Sequence, residues 1–275
     1  MTDAWDPATY RRFADERRQP FTDLLALIQD RPIGRAVDLG CGPGELTRAA
    51  ADELGCVSMV GVDNSAAMLA KSGEHAGGAV SFEQGDIATW TLDRDRDHDL
   101  DLDLDLDLDL VLASASLQWV PDHAVVLARW SAALAPGGQI AVQVPANADM
   151  ASHTTADEVA HTEPFLSAFG AGGPPPDPVA DNVLEPEAYA SLLYDLGFTE
   201  QHVRLQIYPH VLPSTRGVVD WVRGTTLTRF QRILPADVYA QFVAAYERRL
   251  IEIVGESEPF FFPFRRILMW GRRPG

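Results

Sequence analysis

The chain is 275 residues long, 46% hydrophobic and 23% charged, the balance of a soluble globular protein with room for a substantial core. Its formal net charge of −18 sets up a field that repels phosphate backbones, so no nucleic acid partner is expected. The two cysteines, Cys41 and Cys56, make no disulfide framework, "MTDAWDPATYRRF" holds no apolar leader, and no run of about eighteen apolar residues offers a membrane span, so the cytoplasm is the expected location.

In chain order, "WDPATYRRFADERRQPFTDLLALI" predicts a helix capped by Asp6 with Pro7 in its first turn. Pro20 should divide it from a second helix through Leu24, Leu25, Leu27 and Ile28. "RAVDLGCGPGELTRAAADEL" reads as strand, glycine loop and helix, and "CVSMVGVDNSAAMLAKSGEH" repeats that order. "AVSFEQGDIATW" gives a third strand, "LVLASASLQWV" a fourth, "HAVVLARWSAAL" a helix and "APGGQIAVQVP" a fifth strand. Strands alternating with helices predict an α/β fold, a mostly parallel sheet covered by helices on both faces. Residues 146–184, polar and rich in Gly and Pro, read as loop and irregular helix. "EPEAYASLLYDLGF" then predicts a helix ended by Gly197, "EQHVRLQIYPHVLP" a strand, residues 215–254 a helical stretch, and "FFFPFRRILMWGRR" a last strand. The expected organisation is one domain over 1–275, with its core at 35–145 and a helical cap built from the insertions 146–184 and 215–254.

Residues 97–112, "DHDLDLDLDLDLDLVL", alternate so strictly that periodicity alone predicts a strand with leucines on one face and aspartates on the other. From Asp93 to Asp109, nine Asp against Arg94 and Arg96 give a local −7, leaving −11 elsewhere. The fourth strand of such a sheet is central, however, and cannot carry a row of carboxylates. The strand is therefore expected to begin near Asp109 or Leu110, with residues 93–108 an acidic low-complexity loop. A two-residue repeat slips by two without changing its pattern, which predicts poor order before about Asp105. A calcium loop would need a central Gly and a terminal Glu, so no metal site is expected here.

The strongest chemical signal is "VDLGCGPGELT", residues 37–47. A strand ends on Asp38, and Gly40, Gly42 and Gly44 alternate before a helix, letting backbone approach a ligand closely. The dinucleotide spacing G-x-G-x-x-G fails, because Glu45 stands where the third glycine belongs. Nineteen residues beyond Gly44 the second strand ends in Asp63, placed to accept hydrogen bonds from both hydroxyls of a ribose. A third strand end, "QGDI" with Asp86, is placed to meet the exocyclic amine of an adenine. A nucleotide-binding Rossmann domain of another kind remains open on these residues alone.

This constellation resembles the class I S-adenosyl-L-methionine (SAM)-dependent methyltransferases over residues 35–145. The resemblance implies a Rossmann-like seven-stranded sheet, SAM as cofactor and S-adenosyl-L-homocysteine as product. Carried over, the loop of Asp38, Gly40, Gly42 and Gly44 wraps the amino acid and sugar of SAM. Asp63 and Asn64 then fall at the ribose, Asp86 and Ile87 at the adenine with Met68 as its apolar wall, and Ser114 at the end of the fourth strand.

"WDPATYRRFADERRQPFTDLL", "LQWVPDH" and "DWVRGTTLTRF" together resemble the trans-aconitate methyltransferases, which make a monomethyl ester of a tricarboxylate. That resemblance puts Trp119, with Gln118, beside the accepting carboxylate. A carboxylate is ionised at neutral pH, so no general base is required. Spare carboxylates of a polyanion require cations, ideally Arg. The candidates are Arg223 and Arg229, then Arg11, Arg12, Arg17 and Arg18, with Arg265 and Arg266 on the last strand; Tyr10 is a candidate lid residue. Related sequences carry "GT-x-L-R-P" where this chain reads "GTTLTRF", so Arg229 is displaced by one place and the proline is missing. Two alternatives stand: methyl transfer to O, N or C of another small metabolite, which a base such as His123 would favour, and a SAM-binding protein without catalysis. His123, following "PD", reads as a capping or surface residue, and both cysteines as inert. A monomer or homodimer acting on a small-molecule carboxylate is expected, with no membrane partner.

Overall fold

A computed structural model describes residues 14–29, 32–92 and 107–275. Seven strands form one sheet: β1 (Arg35–Leu39), β2 (Ser58–Asp63), β3 (Val80–Gln84), β4 (Leu108–Ser114), β5 (Leu134–Pro145), β6 (Glu200–Leu212) and β7 (Phe260–Arg272). Their order is β3-β2-β1-β4-β5-β7-β6. The pairs β1/β2, β1/β4, β2/β3 and β4/β5 are parallel, while β7 runs antiparallel to β5. From β1 the chain steps outward to β2 and β3, then returns to add β4 and β5 on the other flank. Right-handed crossovers put the helices of the two halves on opposite faces. The reversal between β1 and β4 opens the crevice at their carboxyl ends where such sheets take ligands.

The helices are α1 (Ala14–Leu25), α2 (Glu45–Leu54), α3 (Ala66–Ser72), α4 (His123–Ser131), α5 (Ala151–Ala160), α6 (Phe165–Ala168), α7 (Pro178–Asn182), α8 (Pro186–Asp195), α9 (Arg216–Arg223), α10 (Thr228–Gln231) and α11 (Ala236–Val254). Among the described residues, no helix is long and apolar enough to cross a membrane. Pro20 lies inside α1 and does not divide it. Its missing N–H costs a helix about 3 kcal/mol. Burial of Phe21, Leu24 and Leu25 offsets this, at roughly 1.5–3 kcal/mol per large side chain. The stretch expected to be loop and irregular helix contains the regular ten-residue helix α5. Helix α8 ends as expected: Gly197 takes φ 85°, its N–H reaches Tyr194 O, and Phe198 N–H reaches Leu193 O, a Schellman close.

The chain divides into two compact units. One holds Gln19–Pro145, Asn182–Gln206 and Arg266–Gly275 and contains strands β1 to β5. Its innermost side chains include Leu39, Met59, Leu110, Leu112 and Trp130. The other includes Ala146–Asp181 and Ile207–Arg265. It has its own core, in which Phe165, Phe230, Phe242, Trp221 and Tyr246 are buried together.

Strand β4 begins at Leu108, one residue before the expected start, and Leu110 to Ala113 are buried in turn. Asp109 is the aspartate the fold uses: its Oδ2 accepts the Arg35 N–H at 2.8 Å, tying the start of β1 to β4. The expectation of poor order before Asp105 falls on residues 93–106, outside the described residues.

Candidate active site

Between β1 and α2 the chain makes the glycine loop. Gly40, Gly42 and Gly44 all adopt positive φ (85°, 56° and 82°), where L side chains are strained. The glycines answer different demands. A Cβ on Gly40 would overlap the Ser116 side chain, so the close approach of loop and β4 turn requires that residue. A Cβ on Gly42 would meet nothing within 4 Å.

Three acidic residues stand at or just past strand ends, here in sequence order. Asp38 is buried; Thr47 Oγ1 donates to its Oδ2 at 2.6 Å, and its Oδ1 is buried with no hydrogen-bond partner. Burial pushes the Asp38 pKa up to about 6, against the lowering bond from Thr47 and with a smaller push from the Asp63 charge. Asp63 is half-buried and accepts twice from backbone: Gly42 N–H on Oδ2 at 2.9 Å and Ser65 N–H on Oδ1 at 2.8 Å. Each of its oxygens keeps a lone pair for a further donor. Asn64 is exposed and Met68 half-buried at the start of α3. Asp86 is exposed, taking the Ala88 N–H on Oδ1 at 2.9 Å; Ile87 is buried, and its carbonyl accepts from Trp130 Nε1 at 3.0 Å. The buried Cys41 thiol is pushed up by desolvation, so the one cysteine of the loop stays protonated.

Past β4, Ser114 Oγ accepts from Gln143 Nε2 at 2.9 Å, and Ser116 Oγ donates to Leu39 O at 2.5 Å. A 3₁₀ turn, Leu117–Trp119, follows. Gln118 is buried: its Nε2 donates to Ala115 O at 2.7 Å, and its Oε1 has no hydrogen-bond partner. Trp119 is 41% exposed.

His123 departs from the expected capping or surface role. It opens α4 but its ring is buried, with Nδ1 2.7 Å from Tyr189 Oη and Nε2 2.9 Å from Leu117 O. Desolvation holds its pKa below the usual imidazole range. Both nitrogens are committed, so the ring is not a base open to an acceptor. Tyr189, Asn182 and Ser116 escaped the sequence reading; each acts through a contact more than sixty positions away, which no local spacing encodes.

Arg223 and Arg229 belong to the second unit. Arg223 is exposed at the end of α9. Arg229 is buried: Nη2 meets Asp157 Oδ1 at 2.6 Å and Asp177 Oδ2 at 3.7 Å, Nη1 donates to Pro175 O at 2.8 Å, and Nε is buried with no hydrogen-bond partner. Such a guanidinium ties three segments of its own unit. Arg265 pairs with Asp149, and Arg266 Nη1 donates to Gln143 Oε1 at 2.8 Å. Tyr10, Arg11, Arg12 and the Arg17 side chain lie outside the described residues, while Arg18 is exposed. Among the described residues, no three His, Cys, Asp or Glu side chains are placed to hold a metal ion.

A model of the methyltransferase domain matches residues 37–140, which run from β1 into β5. Solved structures share the fold at low identity. The YcgJ protein of Bacillus subtilis superimposes with a TM-score of 0.57 at 13% identity, covering 94% of this chain and 99% of that one. Phosphoethanolamine N-methyltransferase 2 of Haemonchus contortus, in complex with SAM, gives 0.54 at 17% identity over 94% of this chain and 53% of that one. The strand order with its antiparallel β7, the glycine loop and the acidic strand ends define a class I SAM-dependent methyltransferase. Over nearly the full length, the chain is 40% identical to the trans-aconitate 2-methyltransferase of Deinococcus radiodurans (98% of each chain) and 38% identical to that of Variovorax paradoxus (98% and 95%). That of Streptomyces coelicolor is also 38% identical, over 98% of this chain and 87% of its own. The chain belongs to the trans-aconitate 2-methyltransferase family.

Proposed function

We propose that this enzyme transfers the methyl group of SAM to a carboxylate oxygen of trans-aconitate, giving a monomethyl ester. The observation that carries this reading is the commitment of His123. The imidazole nearest in sequence to Trp119 is neutral and bonded at both nitrogens, so it is not free to take a proton from an acceptor. Full-length relatives named for trans-aconitate agree with it.

The residues of the glycine loop fit SAM. The orphaned Asp38 Oδ1 calls for a donor, and a cationic group is the partner that would return this carboxyl to its ionised form. The free lone pairs of Asp63 suit the two ribose hydroxyls, and the open side of Gly42 leaves room for the amino acid and sugar. Asp86, Ile87, Asn64 and Met68 are assigned to the adenosine, and Ser114 to the floor of the pocket.

Bound SAM supplies a methyl group on a positively charged sulfur, and an ionised carboxylate receives it without proton transfer. The chain's task is then to hold the acceptor oxygen in line and strip water from it. The indole N–H of Trp119 and the second amide hydrogen of Gln118 are assigned to the acceptor carboxylate. Arg223 is assigned to a spare carboxylate, Tyr10 to a lid, and residues 146–184 and 215–254 to substrate binding. The reading places the enzyme in the cytoplasm.

Mass spectrometry of the protein mixed with SAM and trans-aconitate should show a monomethyl ester and S-adenosyl-L-homocysteine in equal amounts. Absence of transfer to aconitate, citrate and isocitrate alike overturns the tricarboxylate reading.

A further inference from the structure

The Leu117–Trp119 turn is held far more firmly than its own bonds require. By itself it has two backbone bonds, Trp119 N–H to Ser116 O and Val120 N–H to Leu117 O, both 3.1 Å, and turns of this kind are weakly determined. Two ties reach it from residues 182–189. Asn182 Nδ2 donates to Gln118 O at 3.0 Å. Tyr189 is wholly buried and acts through His123, whose Nε2 lies 2.9 Å from Leu117 O. The proton positions follow from chemistry. Leu117 O can only accept, so Nε2 carries the hydrogen; the ring is neutral, so Nδ1 is bare; Tyr189 therefore donates to Nδ1. The Tyr189 oxygen in turn accepts the Leu184 N–H at 3.2 Å.

The backbone around the turn is strained. Ala115 (φ 55°) and Asp122 (φ 54°) are the non-glycine residues with positive φ among the described residues, and they bracket this turn on either side. Each costs about 1–2 kcal/mol. The turn also keeps a buried, unpartnered acceptor in Gln118 Oε1. Strain and an orphaned polar atom persist only where surrounding contacts over-determine the geometry, and they gather where function needs it.

We propose that Tyr189 and Asn182 are positioning residues for methyl transfer: Tyr189 through His123, and Asn182 directly, fix the turn that presents Gln118 and Trp119 to the acceptor. This rests on the assignment of Trp119 to the acceptor carboxylate. Methyl transfer needs in-line alignment, so a small shift of the turn costs rate while leaving binding nearly untouched.

The test compares Tyr189→Phe, Asn182→Ala, His123→Gln and His123→Leu, each as a ratio to wild type on the acceptor that wild type methylates. Tyr189→Phe should lower kcat by about 10- to 100-fold, as misplacement by an ångström does, with KM and SAM affinity within about twofold. Asn182→Ala should move kcat in the same direction, and it carries the test if Tyr189→Phe does not fold. A glutamine at 123 can place an amide N–H near the Nε2 position but offers no acceptor at the Nδ1 position, so His123→Gln should lose kcat about as Tyr189→Phe does, and His123→Leu at least as much. Adding Tyr189→Phe to His123→Gln should then cost nothing further. Unchanged kcat in both Tyr189→Phe and Asn182→Ala overturns the proposal, as does a loss of kcat that only follows lost SAM binding. Trp119→Phe reads the underlying assignment separately: unchanged kcat there removes the acceptor role of Trp119 whatever the other variants do.

Discussion

Thr47 donates to Asp38 at 2.6 Å and satisfies one of two buried carboxylate oxygens, leaving the other without a partner at the foot of the glycine loop. The Asp38 pKa, about 6 in the fold against 3.8 ordinarily, means that the folded chain holds a proton there more tightly than the unfolded chain. Stability of the ligand-free protein should therefore fall as pH rises from about 4 to about 6. Above that window the difference of 6 − 3.8 = 2.2 pH units corresponds to a cost on the order of 3 kcal/mol. Asp38→Asn should raise the melting temperature of the ligand-free protein at pH 7.5, leave it nearly unchanged at pH 4, and weaken SAM binding. Calorimetry in buffers of different ionisation enthalpy should also show SAM affinity weakening as pH falls through about 6, with a proton released on binding. A melting temperature that does not rise at pH 7.5 refutes the first part.

Gly40 and Gly42 should separate folding from binding. Gly40→Ala drives a methyl into Ser116 and should unfold or strongly destabilise the protein. Gly42→Ala meets open space, so the fold should lose only the left-handed backbone cost, about 1 kcal/mol, while SAM affinity drops at least tenfold. Thermal melts and a SAM titration on the same preparations check both; equal effects on the two readouts would remove the distinction.

Asp63→Ala should weaken SAM binding sharply, because the side chain offers lone pairs to a ligand and also holds the Gly42 and Ser65 amides. A titration with unchanged affinity refutes the ribose assignment.

The two arginines should fail in different ways. Arg229→Ala leaves the buried Asp177 without its cation and should cost about 3–5 kcal/mol of stability. Arg223→Ala, at an exposed position, should leave the melting temperature nearly unchanged and raise KM for trans-aconitate. Melts combined with steady-state kinetics decide; a normal melting temperature for Arg229→Ala contradicts the tie to Asp157 and Asp177.

What the sequence made legible was local. Strand, glycine loop and helix lie within residues 35–54, and Asp63 and Asp86 mark strand ends, so spacing alone located them. Helix α5 was hard to see because half of its buried face is polar (Ser152, His153 and Thr155), leaving only the short stripe of Ala156, Val159 and Ala160 as a hydrophobic period. The charge of Arg229 suggested a substrate grip, yet its partners Asp157 and Asp177 sit 72 and 52 positions away by number. His123 looked like surface because "VPDH" is a polar start to a helix; only tertiary contact with Tyr189 shows it as a buried link. In the aspartate–leucine tract periodicity ran against topology, and for Leu108 onward topology prevails.

Strand β7 closes the sequence of elements but fills an interior slot, between β5 and β6. During synthesis β6 leaves the ribosome with its eventual neighbour still unmade, and β5 keeps an open flank until the final strand arrives. The sheet is thus completed from its interior by the last of its seven strands in chain order. A chain cut before Phe260 loses more than a dispensable tail: it exposes two hydrogen-bonding edges at once, an invitation to pair with other unfinished chains.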